Sequence, residues 1–386
     1  MVDEENANQG LRLFFSDPSV RFPVRPSLVE DVGMYQMPDG LGFHFRGGPM
    51  SVVIRGRDAE GALNFLLSAL DGTRDLEDLI SQCPSNVSRH TLLKALYFLH
   101  TKGLLCEGRS EESPLVCDSP RLQDEAVSRQ LLFWGRKLAV TGYASSSQEI
   151  ELSLQSAEIL LIGTGLFGTM TSDLLLRSGC SRLRVITWDD SGLLADSFAT
   201  AAHHPQVITH LKSTSVEEAV SHVREFAVTS DLIITATRNA PHRLFQSLNR
   251  VSLDVGCPLL YADEDGSQVV IGPQVMPYSS ACYTCVQMRR ESAREFVLEE
   301  HLYQEHLAKD RKAGLTLPIG EAMPFAALAS SLVVSEVVRI ITGIAPPTLL
   351  NGQLTVPLLS GEFQFNRILR VPRCPDCRAG SRQAVS

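Results

Sequence analysis

Two cysteine pairs, Cys282-Tyr283-Thr284-Cys285 and Cys374-Pro375-Asp376-Cys377, constrain this chain more than any other feature. A two-residue spacer turns both sulfurs of a pair toward one point, and two such knuckles supply the four thiolates of a closed tetrahedral zinc site. For all four thiols to meet, the long stretch between the pairs has to fold back on itself. A site of this kind is structural, with zinc as the expected metal. Local disulfides, a redox pair and coincidence are the competing accounts. The start, Met1-Val2-Asp3-Glu4-Glu5-Asn6, is acidic and has neither a basic segment nor an apolar one, which points away from secretion and toward a cytoplasmic protein. Cytosolic thiols stay reduced. Nine cysteines also cannot all pair. Cys83, Cys106, Cys117, Cys180 and Cys257 lie singly and read as small core residues.

With 386 residues, of which 44% are hydrophobic and 20% charged, the chain can bury two cores or one large one with an appendage. No uninterrupted apolar stretch of about 18 residues occurs, so no membrane partner is expected. A net charge of -9 argues against nucleic acid, because phosphate contact needs a basic face. Polar, proline-punctuated sequence over 107–124 reads as a linker. It separates a small domain over 20–106 from a body over 125–380, with a flexible tail over 381–386.

The small domain shows two strand-like runs, Leu41 to Phe45 and Ser51 to Ile54, joined by Gly47-Gly48-Pro49. Three helical segments follow, with Asp58, Asp75 and Ser88 as expected caps and Gly103 as a stop. Strands followed by three short helices read as a winged-helix-like α+β unit. Its third helix carries Arg89, Lys94 and Lys102 against several nearby acids, which speaks against DNA readout. An exposed strand edge beside a helix suits capture of an extended peptide as an added strand.

This unit resembles the PqqD-type precursor-recognition element of enzymes that modify ribosomally made peptides. The resemblance rests on the apolar strand, the run Leu66-Leu67-Ser68-Ala69-Leu70-Asp71-Gly72-Thr73-Arg74-Asp75-Leu76 and the segment Leu96 to Leu105. It implies a leader-peptide cleft formed by Ser51, Val52, Val53 and Ile54 with Lys94 and Tyr97.

In the body, the apolar run Ala157 to Ile162 leads into Gly163-Thr164-Gly165-Leu166-Phe167-Gly168. A glycine trio after a strand permits a tight turn, close phosphate approach and helix amides facing an anion. Leu183 to Trp188 reads as the second strand, and Asp189 and Asp190 stand where a ribose-binding acid belongs. Alone, this fingerprint favours NAD, and an NAD-dependent oxidoreductase is one reading. The zinc knuckles give a different context.

The landmarks run in order: glycine loop, acids, Thr237-Arg238-Asn239 with Arg243, Cys282/Cys285, Glu336 within Ser335 to Gly343, and Cys374/Cys377. This order is similar to that of the ThiF/MoeB group, relatives of the ubiquitin-activating enzymes. The resemblance implies a Rossmann-like ThiF-type α/β sheet, ATP and magnesium beside it, adenylation of a carboxylate, and a homodimer. Gly163, Gly165, Gly168, Asp189 and Asp190 would hold the nucleotide.

The chain departs from that pattern in three places. No arginine occurs between Arg184 and Arg224, where the family has a phosphate-contacting one; in one register the family's first acid falls on Thr187. Little chain remains for the family's lysine-bearing helix before His204-Pro205. Lys212, the nearby lysine, reads as a surface residue. The family's Asp-Asn-x-x-x-Arg, whose aspartate positions magnesium, becomes Arg238-Asn239-Ala240-Pro241-His242-Arg243. Adenylyl transfer needs cations around the phosphates and carboxylates to hold the metal.

A ThiF-like body with a precursor-recognition element and a degraded nucleotide site looks like the leader-binding partner of azoline-forming cyclodehydratases. These install thiazolines and oxazolines in bacteriocin-type peptides. In those systems a YcaO-type protein performs the ATP chemistry while the ThiF-like partner binds the leader. The alternative is an active adenylating enzyme acting on a peptide carboxylate. His203-His204 reads as a loop, Asp263-Glu264-Asp265-Gly266 as a turn, and Glu336 as a packing or capping residue.

Overall fold

In the computed structural model the described residues are 22–29, 32–38, 42–47, 50–108, 129–130, 133–134, 147–187, 208–213, 215–264, 268–293, 295–296, 298–299, 302, 322–357 and 359–378. The chain divides into two compact units. One comprises 1–152 with 342–345, the other 153–341 with 346–386.

The first unit opens with β1 (Pro26–Leu28) and a three-stranded antiparallel sheet, β2 (Gly33–Gln36), β3 (Gly42–Gly47) and β4 (Met50–Arg55), in that spatial order. Helices α1 (Arg57–Ala69), α2 (Leu76–Ser81) and α3 (Arg89–Thr101) follow, and β5 (Leu105–Glu107) returns to pair with β1. The strand alternation decides which faces are buried. Phe43 and Phe45 point into a core with Leu63, Leu66, Leu92, Leu96 and Leu99, while His44 and Arg46 point out. Asp75 and Asp78 form a reciprocal capping box on α2, and the Ser88 hydroxyl accepts from the Thr91 N–H at the start of α3. Asp58 does not begin α1. The helix starts at Arg57, and Gly56 stands at the cap position with φ +152°. The sharp exit from β4 demands a backbone angle that only glycine adopts readily, which moves the cap and the helix start two residues earlier.

The second unit is built on an eight-stranded sheet. Helix α4 (Ser147–Ser156) leads into β6 (Glu158–Gly163), α5 (Gly165–Arg177), β7 (Arg182–Thr187), β8 (Ile208–Lys212), α6 (Val216–Ala227), β9 (Leu232–Arg238), α7 (His242–Val255) and β10 (Leu259–Glu264). These strands are parallel in the order β10-β9-β6-β7-β8. Strands β11 (Gln268–Val275), β12 (Gly352–Pro357) and β13 (Gln364–Arg367) extend the sheet antiparallel beyond β10. Helices α8 (Tyr283–Ala293) and α9 (Met323–Thr342) complete the described elements.

Covered on both faces, β6 and β9 are buried nearly throughout rather than alternating, with the polar Thr235 and Thr237 hydrogen-bonded inside β9. Helix α6 is two-faced: Val216, Ala219, Val223 and Ala227 recur along its buried side, and Ser215 caps it through the Glu218 N–H. Helix α7 stops at Gly256, whose φ of +83° lets its N–H reach the Ser252 carbonyl. By length and hydropathy α9 could cross a bilayer. Its contacts are those of a core helix. Ser330 donates to the Phe167 carbonyl and accepts from Thr171, both on α5. Glu336, almost fully buried, accepts from the Leu349 N–H at 2.7 Å, from Thr348 and from Arg339. Glu336 is therefore a packing residue that pins the chain ahead of β12.

Candidate functional site

The chain folds so that all four knuckle cysteines meet. The sulfurs of Cys282, Cys285, Cys374 and Cys377 lie within 4.8 Å of one another, and every one of these residues is buried. Cys282 is 3.6 Å from Cys374 and 3.9 Å from Cys285, while Cys285 is 3.6 Å from Cys377. These separations are far too long for disulfides. Four thiolates about 2.3 Å from one zinc sit about 3.8 Å apart in a tetrahedron, which is the spacing found here.

The local chemistry also fits a dication. Burial pushes the Cys374 thiol up to about 11. Cys282 is held protonated through hydrogen bonds to Cys285 and Cys377, and Cys285 moves the opposite way as their acceptor. Burying adjacent thiolates is costly unless a cation compensates them. Zinc would supply that compensation, and loading it requires the cluster to release protons.

A polar network surrounds the sulfurs. The second spacer residues of the two knuckles, Thr284 and Asp376, hydrogen-bond each other. Asn249, fully buried on α7, donates to Asp376 at 3.2 Å and accepts from the Tyr283 N–H at 3.0 Å. The Val371 N–H points at the Cys285 sulfur, and Arg370 holds the Cys377 carbonyl at 2.7 Å. Tyr283 carries the network onward, bonding His242 at the start of α7 at 2.6 Å and lying 5.0 Å from the Tyr261 ring.

A second feature is the crevice at the topological switch point. Strand order reverses between β6 and β9, so the loops leaving their carboxyl ends diverge there. The Gly163–Gly168 turn occupies one lip. Gly165 adopts φ +60°, and a Cβ on Gly168 would lie 2.7 Å from the Gly163 carbonyl carbon. The two glycines thus let α5 start directly against β6. The other lip is the end of β9. The Arg238 N–H donates to the Thr164 hydroxyl at 3.1 Å, and the Thr164 N–H donates to the Ala236 carbonyl, joining the lips.

At this lip Arg238 lies in register with Glu264 on β10, and Thr237 with Asp263. The Asp263 carboxylate accepts from the Thr237 hydroxyl at 2.6 Å and from the Ala240 N–H at 3.3 Å. Asp263 and Glu264 are strand residues, not part of a turn; residues 265–267 lie outside the described residues. The glycine turn presents its backbone at one lip, and Arg238 ends the other, where the ThiF/MoeB resemblance leads one to expect a magnesium-positioning carboxylate. Glu264 is the carboxylate in register with Arg238, and Asp263 stands one residue before it. Asp189, Asp190, His203 and His204 lie outside the described residues. Lys212 ends β8 and is exposed.

The expected peptide-binding residues lie on β4 and α3. Val52 and Ile54 pack on the core of the first unit, whereas Ser51 and Val53 face outward. Ser51 hydrogen-bonds His44 at 2.9 Å. Tyr35, His44 and Val53 form one row across the outer face of the sheet. Among the described residues β4 pairs only with β3, so its other edge is open. Lys94 and Tyr97 are exposed, three residues apart on one side of α3. Helix α1 packs on β3 and β4, and α3 packs on α1.

Sequence reasoning missed Asn249, Asp263 and the roles of Thr284 and Asp376. One signal was available: Thr284 and Asp376 occupy the same polar spacer position in the two knuckles. Asn249 left no local trace, and the acids at Asp263-Glu264 read as a turn, since the partners of both Asn249 and Asp263 are distant in sequence.

No family model matches the chain, and no curated protein sequence does. Solved structures do. Escherichia coli MccB with ATP aligns over 92% of this chain and 99% of its own, with a TM-score of 0.63 at 14% identity. The microcin C7 biosynthetic enzyme MccB in complex with N-formylated MccA aligns over 91% and 99%, with a TM-score of 0.63 at 13% identity. PaaA aligns over 89% and 100%, with a TM-score of 0.59 at 16% identity. At these identities the likeness is one of fold, and the fold is of the ThiF/MoeB kind.

Proposed function

We propose that this chain is a ThiF-like component of a system that modifies ribosomally made peptides. It binds the leader segment of the precursor and presents the remainder to a separate YcaO-type cyclodehydratase, acting as a homodimer in the cytoplasm. The single observation that carries this reading is Arg238 at the end of β9. It puts a cation where an adenylating relative needs a carboxylate to organise magnesium, in a crevice that otherwise keeps its glycine turn. The fold shared with MccB, solved with N-formylated MccA, supports a peptide as the partner.

Binding would follow from the first unit. An extended leader adds to the open edge of β4, the backbone supplying hydrogen bonds, while Tyr97 offers an aromatic surface and Lys94 a positive charge. Zinc at the four cysteines keeps the body of the second unit folded and performs no chemistry on the substrate.

The test is to purify the protein alone and titrate it with a labelled leader from the precursor gene beside its own, then with ATP. Leader binding without pyrophosphate exchange is the expected result. Peptide-dependent ATP–pyrophosphate exchange would overturn it.

Asp263 favours a second reading, in which the chain itself adenylates a peptide carboxylate. It presents a carboxylate at the crevice lip one strand away from Arg238, and MccB has been solved with ATP. Under that reading Asp263→Asn and Asp189→Ala each abolish exchange and leave leader affinity intact.

A further inference from the structure

We infer that the outer edge of the large sheet, at β13, is a docking strand for an extended acidic segment of another protein. Strand β13 ends the sheet, and β12 is its one described partner. All four of its residues are exposed. An edge strand offers a row of backbone donors and acceptors to any chain that can lie beside it.

The side chains define what that chain must be. Phe363, Phe365 and Arg367 alternate onto one face, and Phe363 and Phe365 are 50% and 51% exposed. The Phe365 ring lies against Gly352, where an added Cβ would meet it at 2.5 Å, so the glycine leaves this aromatic room on the strand. Beyond the buried Ile368 stands Leu369, 66% exposed. Its carbonyl accepts from Arg289 Nε at 2.7 Å, which brings a second guanidinium to the strand end, and Arg373 is exposed just beyond.

Against these arginines the segment carries Glu362 and Asp376, and Asp376 is already engaged by Thr284 and Asn249. A basic edge with apolar anchors on a chain of net charge -9 is a local reversal of sign. It complements alternating acidic and apolar residues in extended form. A second copy of this chain fits poorly, because pairing two β13 edges gathers both arginine sets into one interface. This surface belongs to the second unit and is independent of the leader site on the first.

The test uses the full zinc-loaded chain and a fluorescein-labelled hexapeptide of alternating Glu and Val, with a Lys/Val hexapeptide as its counterpart, read by anisotropy. The Glu/Val peptide is expected to bind and to weaken as salt rises. Arg367→Glu and Phe363→Glu should each reduce affinity roughly tenfold or more, with zinc content and thermal midpoint unchanged; Arg367→Gln should fall between. Val53→Asp, in the other unit, should leave this binding as it was. Equal binding of both peptides, indifference to Arg367→Glu, or loss on Val53→Asp would overturn the proposal. So would light scattering that shows a dimer dissolved by Phe363→Glu, since the occupant would then be a second copy.

Discussion

The amide of Asn249 and the carboxylate of Asp376, 127 positions apart in sequence, meet at 3.2 Å beside the four cysteines. Asn249 simultaneously accepts from the Tyr283 N–H, so one buried side chain joins α7 to both knuckles. Asn249→Ala leaves the buried Tyr283 N–H without its acceptor and takes one donor from the part-buried Asp376 carboxylate, which keeps Thr284. It is expected to cost about 1–3 kcal/mol of stability. Partners behind the ligands orient them, so zinc affinity should also fall by about 10–100-fold. Denaturant titration and competition with a chromophoric chelator measure the two effects separately.

Purified protein should contain one zinc per chain by elemental analysis. Cys282→Ser and Cys374→Ser should lose that metal and much of the soluble, cooperatively melting protein. A zinc-free variant that melts like the parent would show the cluster to be dispensable. Burial holds the Cys374 thiol up at about 11, so loading must release a proton there. Apparent affinity should therefore weaken as pH falls, measurable by titration in buffers of different ionisation enthalpy.

Gly168→Ala tests the contact between strand and helix. The new methyl would meet the Gly163 carbonyl carbon at 2.7 Å and its Cα at 2.8 Å, both backbone atoms that cannot step aside singly. Overpacking of this kind costs about 1–3 kcal/mol. The thermal midpoint should drop and any nucleotide binding at the crevice should drop with it.

His100 gives the first unit a pH dependence of known sign. It lies 5.2 Å from the Phe22 ring, and burial lowers its pKa below the ordinary 6.5. The unfolded chain then binds the proton more readily than the folded one. Stability from this group is complete above pH 6.5 and declines as pH falls from there through the lowered folded value. His100→Phe should flatten that limb of the stability curve relative to the parent, with urea midpoints across the acid range as the measurement.

Much of this architecture is visible in the sequence because its causes are local. The apolar run into Gly163, the Ser88 and Asp75 caps, and the two cysteine spacers each carry their instruction within a few residues. Asp58 misled because the strain at Gly56 depends on how β4 must turn. Asp263 and Glu264 misled for a related reason. Acids beside a glycine read as a turn, yet pairing with Thr237 and Arg238 on β9 draws them into a strand. The Asn249 network and the exposed face of β13 depend on which distant segments become neighbours, and residue types alone do not encode that.

The distance along the chain between the two cysteine pairs also sets an order of events. Cys374 follows its partner Cys282 by 92 positions, and α9, β12 and β13 lie between them. During synthesis the first knuckle emerges long before the second and has to wait with its thiols exposed. Metal capture can close the site only after the last strands have been made. A metal ion held by all four sulfurs would therefore close the second unit last, and a chain lacking the second knuckle would have only two of the four ligands to offer.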